Sequence, residues 1–223
     1  MMTMPILPNH HPSDERLLDY ATGAAAEPMA LVIACHLALC ARCRHEMRHL
    51  EQLGGALLDD APQETMSAGC LDRLFARIEL PDPPIEIEEP ALMPAINRDI
   101  PQPLRHYLDR PLRDMPWRKR GAISELELLP EVSNHATRLL WIRSGAAAPR
   151  HTHEGSELTL VLKGSFRDGH GHYGCGDIAE ADSDVDHRPI AGDDEDCLCL
   201  TVTDAPLKLT SPIGRLINPF LKI

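Results

Sequence analysis

Aromatic side chains are scarce in this chain of 223 residues, with three Phe, three Tyr and two Trp. Any core must therefore be mainly aliphatic, and at 43% hydrophobic residues the material for two small domains is present. No apolar run reaches the ~18 residues of a membrane-spanning helix. No secretory leader is recognisable either, because Met1 to His11 holds Pro5 and Pro8 and neither Lys nor Arg. The expectation is a soluble cytoplasmic protein that does not touch the membrane. Positive charge is also short: 22 Lys and Arg stand against 34 Asp and Glu, a formal net charge of −12. Phosphate contact needs clustered cations, so the charge argues against direct binding to nucleic acid or anionic lipid, whereas a basic protein partner is allowed. The cysteine count is seven, an odd number that disfavours a complete intramolecular disulfide framework. With histidines nearby, metal ligation explains some of these cysteines better.

What is present begins with the stretch from Cys35 to Cys43, which reads His-x3-Cys-x2-Cys inside an apolar, helix-forming run. Positions four apart share a helix face, so His36 and Cys40 project side by side and Cys43 follows one turn on. One imidazole and two thiolates suit zinc, which takes nitrogen and sulfur ligands tetrahedrally. Three ligands leave one position open, and the nearest upstream candidates are His10 and His11. The bland alternatives are a redox CxxC pair, a surface histidine at His36, and a small core residue at Cys35.

The rest of residues 1–80 reads as helices. Ser13 can cap one, with Asp14 and Glu15 complementing the positive end of its dipole, and Gly23 ends it. Pro28 suits the first turn of a second helix running to about Leu39. A third is expected from Ala41 to Leu53, stopped by Gly54 and Gly55. A fourth follows Ser67, where Leu71, Leu74, Phe75 and Ile78 fall at helical spacing. That face is expected to pack on the other helices; docking on a partner is the alternative. From Pro81 to Pro116 there are nine prolines, which rule out long helices and central strands. Residues 81–103 read as an extended linker, kept solvated by Glu86, Glu88 and Glu89. A short turn over Leu104 to Leu112 opens the next domain. Beyond Trp117 the pattern is short strands, Thr137 to Ile142, Glu157 to Leu162 and Cys197 to Val202, separated by Gly, Pro and Asp clusters. Such a pattern implies a sandwich or barrel.

The strongest pattern in this second half is Gly145-x5-His151-x-His153-x3-Glu157-x6-Gly164. Two histidines two apart on a strand share a face, Glu157 can aim inward from the next strand, and His187 can complete the set. Three imidazoles and a carboxylate suit zinc, manganese, iron or nickel. The spacing is similar to the first cupin motif at every fixed position. The second motif departs from the pattern: Gly174 to Ile178 is followed by Asp184 to His187 without a Pro-x-Gly before the histidine, and Ala191 stands where Asn is frequent. Cys197 and Cys199 share a strand face and read as a buried pair. Cys175, between two glycines, reads as exposed.

The order of parts resembles the ChrR family of zinc-binding anti-sigma factors. The matching stretches are His10-His11-Pro12-Ser13-Asp14, Ala34-Cys35-His36 through Cys40-Ala41-Arg42-Cys43, Leu139 to Ile142, Glu157 to Leu162, Phe166-Arg167-Asp168 and Asp196 to Leu200. The resemblance implies a multidomain α plus all-β architecture, a small zinc-stapled helical bundle joined by a Pro-rich linker to a cupin β-barrel. Its parts would be residues 1–80, 81–103 and 104–223. It implies zinc on His11, His36, Cys40 and Cys43, and a second divalent metal on His151, His153, Glu157 and His187. Zinc is the expected second ion, with manganese or iron(II) as the alternatives. The implied function is a non-enzymatic one: the helical domain holds an extracytoplasmic-function sigma factor in a one-to-one complex. The cupin would then trigger release in response to oxidants such as singlet oxygen. Charge is compatible, since residues 1–80 hold 11 Asp and Glu against 6 Arg and no Lys, while a sigma factor presents basic and apolar surfaces to DNA and polymerase. Two rivals remain at this stage. One is a cupin dioxygenase or isomerase with an accessory zinc module. The other is a DNA-binding zinc-finger regulator, which the acidity of residues 1–80 opposes.

Overall fold

Among the described residues, which are 7–80, 100–129 and 134–210 of the computed structural model, five α-helices precede eleven short strands. Helix α1 (Asp14–Ala21) begins after Ser13, whose hydroxyl makes no capping bond. The Ser13 backbone N–H is instead taken by Glu180 at 2.8 Å. Gly23, at φ 73°, supplies the left-handed turn that leads into α2 (Glu27–Leu39). Helix α2 carries Pro28 in its first turn and is apolar all round because it is covered all round: Met29, Leu31, Val32, Ile33 and Cys35 are buried.

Helix α3 (Ala41–Asp59) corrects one expectation, since it runs straight through Gly54 and Gly55. Two glycines cost about 2 kcal/mol relative to alanine. Strong helix formers on both sides, Glu51-Gln52-Leu53 and Ala56-Leu57-Leu58, propagate the helix across them. Helix α4 (Cys70–Ile78) corrects another: its apolar face, expected to pack inward, is exposed, with Leu71, Leu74, Phe75 and Ile78 each more than half accessible. The linker falls mostly on residues 81–99, outside the described residues. Its last residues are anchored, because Ile100 and Pro101 are buried and lead into α5 (Gln102–Arg105), whose Leu104 is wholly buried.

The strands are β1 (Arg118–Arg120), β2 (Ile123–Leu128), β3 (Ala136–Ile142), β4 (His151–His153), β5 (Glu157–Lys163), β6 (Ser165–Arg167), β7 (His172–Gly174), β8 (Ile178–Ala181), β9 (Ile190–Ala191), β10 (Cys197–Thr203) and β11 (Leu207–Leu209). They form a six-stranded antiparallel sheet in the order β1-β2-β3-β10-β5-β8, with smaller sheets β7-β6-β9 and β11-β4. This is the barrel that the turn-rich pattern implied. Strand periodicity sorts the large sheet's side chains into two cores. Leu139, Leu158, Leu160, Leu162, Leu198, Leu200 and Val202 share one core with Val32, Ile33 and Leu104 of the helices. Ile142, Val161, Cys197 and Cys199 belong to the other, with Phe166 and Tyr173. Strands β5 and β10 read as nearly unbroken apolar runs for this reason, being covered on both faces. The helices and the barrel are therefore not merely tethered; they share a continuous apolar core.

Candidate metal centres

The first cluster sits where α2 meets α3. Cys40 is the residue between the two helices and caps α3: its sulfur accepts the Cys43 backbone N–H at 3.4 Å. Cys43 lies in the first turn of α3, where the helix dipole favours negative charge, and a thiolate profits from that position. His36 comes from the last turn of α2. His11 comes from the segment before α1, with its Nδ1 at 3.5 Å from the Cys40 sulfur and 3.4 Å from the Cys43 sulfur. The His36 Nε2 is 3.2 Å from the Cys43 sulfur. Donor atoms of all four residues lie within 4.8 Å of one another. His10, the competing candidate, is turned away and places its Nδ1 3.4 Å from Asp177. Cys35 lies in the apolar core, where burial pushes its thiol up to about 12.

The electrostatics fit a cation. Burial pushes His36 down to about 4, against the opposing effect of its bond to Gly176, so the ring is neutral and able to ligate. Its Nδ1–H donates to the Gly176 carbonyl at 2.8 Å, which fixes the tautomer and leaves Nε2 bare toward the sulfurs. Burial, with Cys40 beside it, pushes Cys43 up to about 12. A buried thiol in that state ionises only when a positive ion compensates it. Two sulfurs and two imidazoles are a donor set that zinc takes tetrahedrally.

The second cluster lies in the barrel. β4 presents His151 and His153, β5 opens on Glu157, and His187 is brought in by a backbone bridge to His151, with both N–H to carbonyl bonds at 3.0 Å. The His187 Nε2 is 3.1 Å from that of His151 and 3.3 Å from that of His153. Nδ1–H of His151 donates to the Pro149 carbonyl (2.7 Å), and that of His187 to Asp168 (2.8 Å). Both rings therefore turn bare Nε2 atoms inward. The buried Nδ1 of His153 has no hydrogen-bond partner and stands 3.9 Å from Glu157. Burial pulls both His151 and His153 below the ordinary imidazole range. Converging neutral nitrogens with lone pairs facing one another are stabilised by a cation, so this donor set also fits a divalent metal. His151, Glu157 and His187 form part of the wall of a cavity of about 450 Å³.

Three residues that carry these sites were not legible in the sequence. Asp168 lies within the matching stretch Phe166 to Asp168, but that stretch assigned it no role. Gly176 acts through its carbonyl, which no side-chain pattern can announce. Asp177 is buried, and its carboxylate accepts the backbone N–H groups of Asn9 (2.6 Å), His10 (3.0 Å) and Gly174 (2.8 Å). The Ile178 N–H donates to the His10 carbonyl at 3.1 Å. The turn between β7 and β8 thus grips the residues just before His11, and its Gly176 holds His36. Among the cysteines outside the clusters, Cys197 and Cys199 are buried with sulfurs 3.4 Å apart. Cys175 is half-buried, its thiol donating to the Leu162 carbonyl at 3.1 Å, and so is less exposed than expected.

Comparison with known proteins places this geometry among relatives. Residues 110–206 match the family model described as the ChrR cupin-like domain. The anti-sigma-E factor ChrR of Cereibacter sphaeroides is 40% identical over 214 residues, covering 96% of this chain and 98% of that protein. A crystal structure of Rhodobacter sphaeroides SigE in complex with the anti-sigma ChrR superposes with a TM-score of 0.73 at 38% identity, covering 87% of this chain and 98% of that one.

Proposed function

The chain belongs to the ChrR family of anti-sigma-E factors, and on that premise we propose that its helical region holds an extracytoplasmic-function sigma factor inactive in a one-to-one complex. Membership in a family of regulators sets aside the dioxygenase and isomerase readings. The observation that carries the proposal is the apolar surface left uncovered on α3 and α4. Leu53, Leu57 and Leu58 of α3 and Leu71, Leu74, Phe75 and Ile78 of α4 are between 53% and 75% exposed. Clustered exposure of this kind marks a protein-binding surface. Burial of each such side chain contributes about 1.5–3 kcal/mol. A net negative helical region complements a basic partner. No helix among the described residues is long and apolar enough to cross a membrane, in keeping with action in the cytoplasm.

In this reading His11, His36, Cys40 and Cys43 hold zinc, which would supply a structural cross-link between α2, α3 and the N-terminal segment. His151, His153, Glu157 and His187 hold a second divalent ion. The cupin is the sensor, and the turn from Gly174 to Ile178 is its route to the helical site. That turn supports His36 through Gly176 and positions His11 through Asp177. Oxidant damage at the barrel cluster shifts this turn, disturbs the helical zinc site and frees the sigma factor. The test is co-expression of the full chain with its sigma partner. A one-to-one complex that dissociates under singlet oxygen supports the reading; no complex, from a folded and zinc-loaded chain, overturns it.

A further inference from the structure

Helix α3 carries a pair of histidines that neither donor cluster uses. His45 and His49 are four residues apart and both exposed, so they share one face of the helix. Their rings meet edge to face with centroids 4.4 Å apart, and their Nε2 atoms stand 2.9 Å from each other. The Arg48 guanidinium donates to Nδ1 of His45 at 3.2 Å. In the neutral form of His45 the ring proton is then on Nε2, shared with the lone pair of His49 Nε2. An ion can take the place of that proton with little movement of the rings. The separation selects the ion. Two nitrogens about 2.1 Å from a metal stand roughly 3.0 Å apart at a right angle and roughly 3.4 Å apart at the tetrahedral angle. The observed 2.9 Å matches the right angle. That is the cis arrangement of square-planar and tetragonal ions such as copper(II) and nickel(II), not of tetrahedral zinc. His45, His49, Leu53 and Leu57 also fall on one i, i+4 row, whose two leucines belong to the exposed apolar surface.

We propose that His45 and His49 chelate a divalent ion of tetragonal preference, copper(II) or nickel(II), on the outside of α3, and that its occupancy opposes docking of the sigma factor. The site stands on the geometry of the pair; the opposition rests on the anti-sigma reading. An ion at the head of the row adds positive charge beside a surface read as meeting a basic partner. Both imidazoles stay neutral on binding: the His45 proton passes through solvent from Nε2 to Nδ1, and Arg48 must release that atom. Arg48 therefore acts against the ion, through its bond and through its charge.

The test is calorimetric titration of the full-length, metal-loaded protein with copper(II) iminodiacetate, whose chelated ion stays out of the closed zinc cluster. One-to-one binding is expected, with two imidazole nitrogens on copper by electron paramagnetic resonance. His45→Ala and His49→Ala should each lose about tenfold or more in affinity, because one imidazole remains where two chelated. Both positions are exposed, and zinc content and circular dichroism confirm the fold of each variant. Arg48→Ala should bind the chelate more tightly than the native chain. A smaller loss in either histidine variant, or a single imidazole on copper, overturns the site; Arg48→Ala that binds no tighter overturns the part given to Arg48. Saturating the sigma complex with the chelate should then lower the co-purifying sigma factor in the native chain and leave it unchanged in the double variant His45→Ala with His49→Ala. Equal retention in the two chains overturns the opposition. A sigma complex that never forms removes the anti-sigma reading, and the copper titration then judges the site by itself.

Discussion

The two donor clusters are alike in burial and unlike in their surroundings. Each contains imidazoles that burial holds below their ordinary range, His36 in one and His151 and His153 in the other, and in each a ring nitrogen is tied to the protein, His36 to Gly176 and His187 to Asp168. In the helical cluster the donors are two thiols and two imidazoles drawn from α2, the α2–α3 junction, α3 and the N-terminal segment. Such a set fills a tetrahedral ion and leaves it no further chemistry. In the barrel cluster three imidazoles and a carboxylate border a cavity, so an ion there could still be reached by a small molecule. On the proposed reading, the closed cluster holds helices in place and the open one senses. The β7–β8 turn is part of the barrel and bonds directly to the helical cluster's supports, at His36 and His10.

Breaking the closed cluster should have the largest effect. Cys40→Ser with Cys43→Ser should abolish zinc binding in the helical region and all co-purifying sigma factor. Structural zinc contributes on the order of 10 kcal/mol, more than a region of this size can lose. Breaking the surface rather than the site should come next. Leu74→Asp with Phe75→Asp should weaken the sigma complex by about 100-fold or more, the effect of losing anchors worth about 2 kcal/mol each. The variant's thermal midpoint should not move, because both side chains are already exposed.

The bonding of the β7–β8 turn is tested by Asp177→Asn. Loss of an outer support typically lowers metal affinity by about 10–100-fold. Competition with a chelator should therefore show weaker zinc binding in the helical cluster and unchanged binding in the barrel. Burial opposes ionisation of Asp177, but the N–H groups of His10, Gly174 and Asn9 outweigh it and hold the carboxyl below its ordinary value. A depressed carboxyl contributes its stability above the unfolded pKa and loses it as pH falls through the folded one. Unfolding curves below ~pH 5 should thus show an acid-dependent loss in the native chain that Asp177→Asn lacks. The smallest effect concerns α3. Gly54→Ala and Gly55→Ala should each stabilise the exposed end of that helix by about 1 kcal/mol, raising helicity by circular dichroism.

Local spacing made much of this molecule legible. His36, Cys40 and Cys43 lie within eight residues and His151, His153 and Glu157 within seven, so local spacing brings each set together, although His36 and Cys40 do not share one helix face as the spacing implied: α2 ends before Cys40, whose extended backbone turns the chain into α3. Strands β3, β5 and β10 lie within a residue of the bounds read from their position between Gly, Pro and Asp clusters. What the sequence could not show depends on partners distant along the chain or outside it. The apolar face of α4 has the same spacing whether it meets a core or a sigma factor. Nothing in Gly54 and Gly55 reveals that their neighbours carry the helix through. The apolar runs of β5 and β10 are consistent with a barrel alone, and only the placement of α2 against them shows why both faces are covered. The hold of the β7–β8 turn on the N-terminal segment joins residues more than 160 positions apart, backbone N–H groups of Asn9 and His10 to the Asp177 carboxylate.

The central claim is that the open cluster senses while the closed one binds. Size-exclusion chromatography of the sigma complex before and after singlet-oxygen exposure tests it most directly. The native chain is compared with a variant carrying alanine at His151, His153, Glu157 and His187. The account predicts that both chains form the complex and that only the native one releases sigma factor after exposure. Release by the alanine variant at the native rate would contradict it.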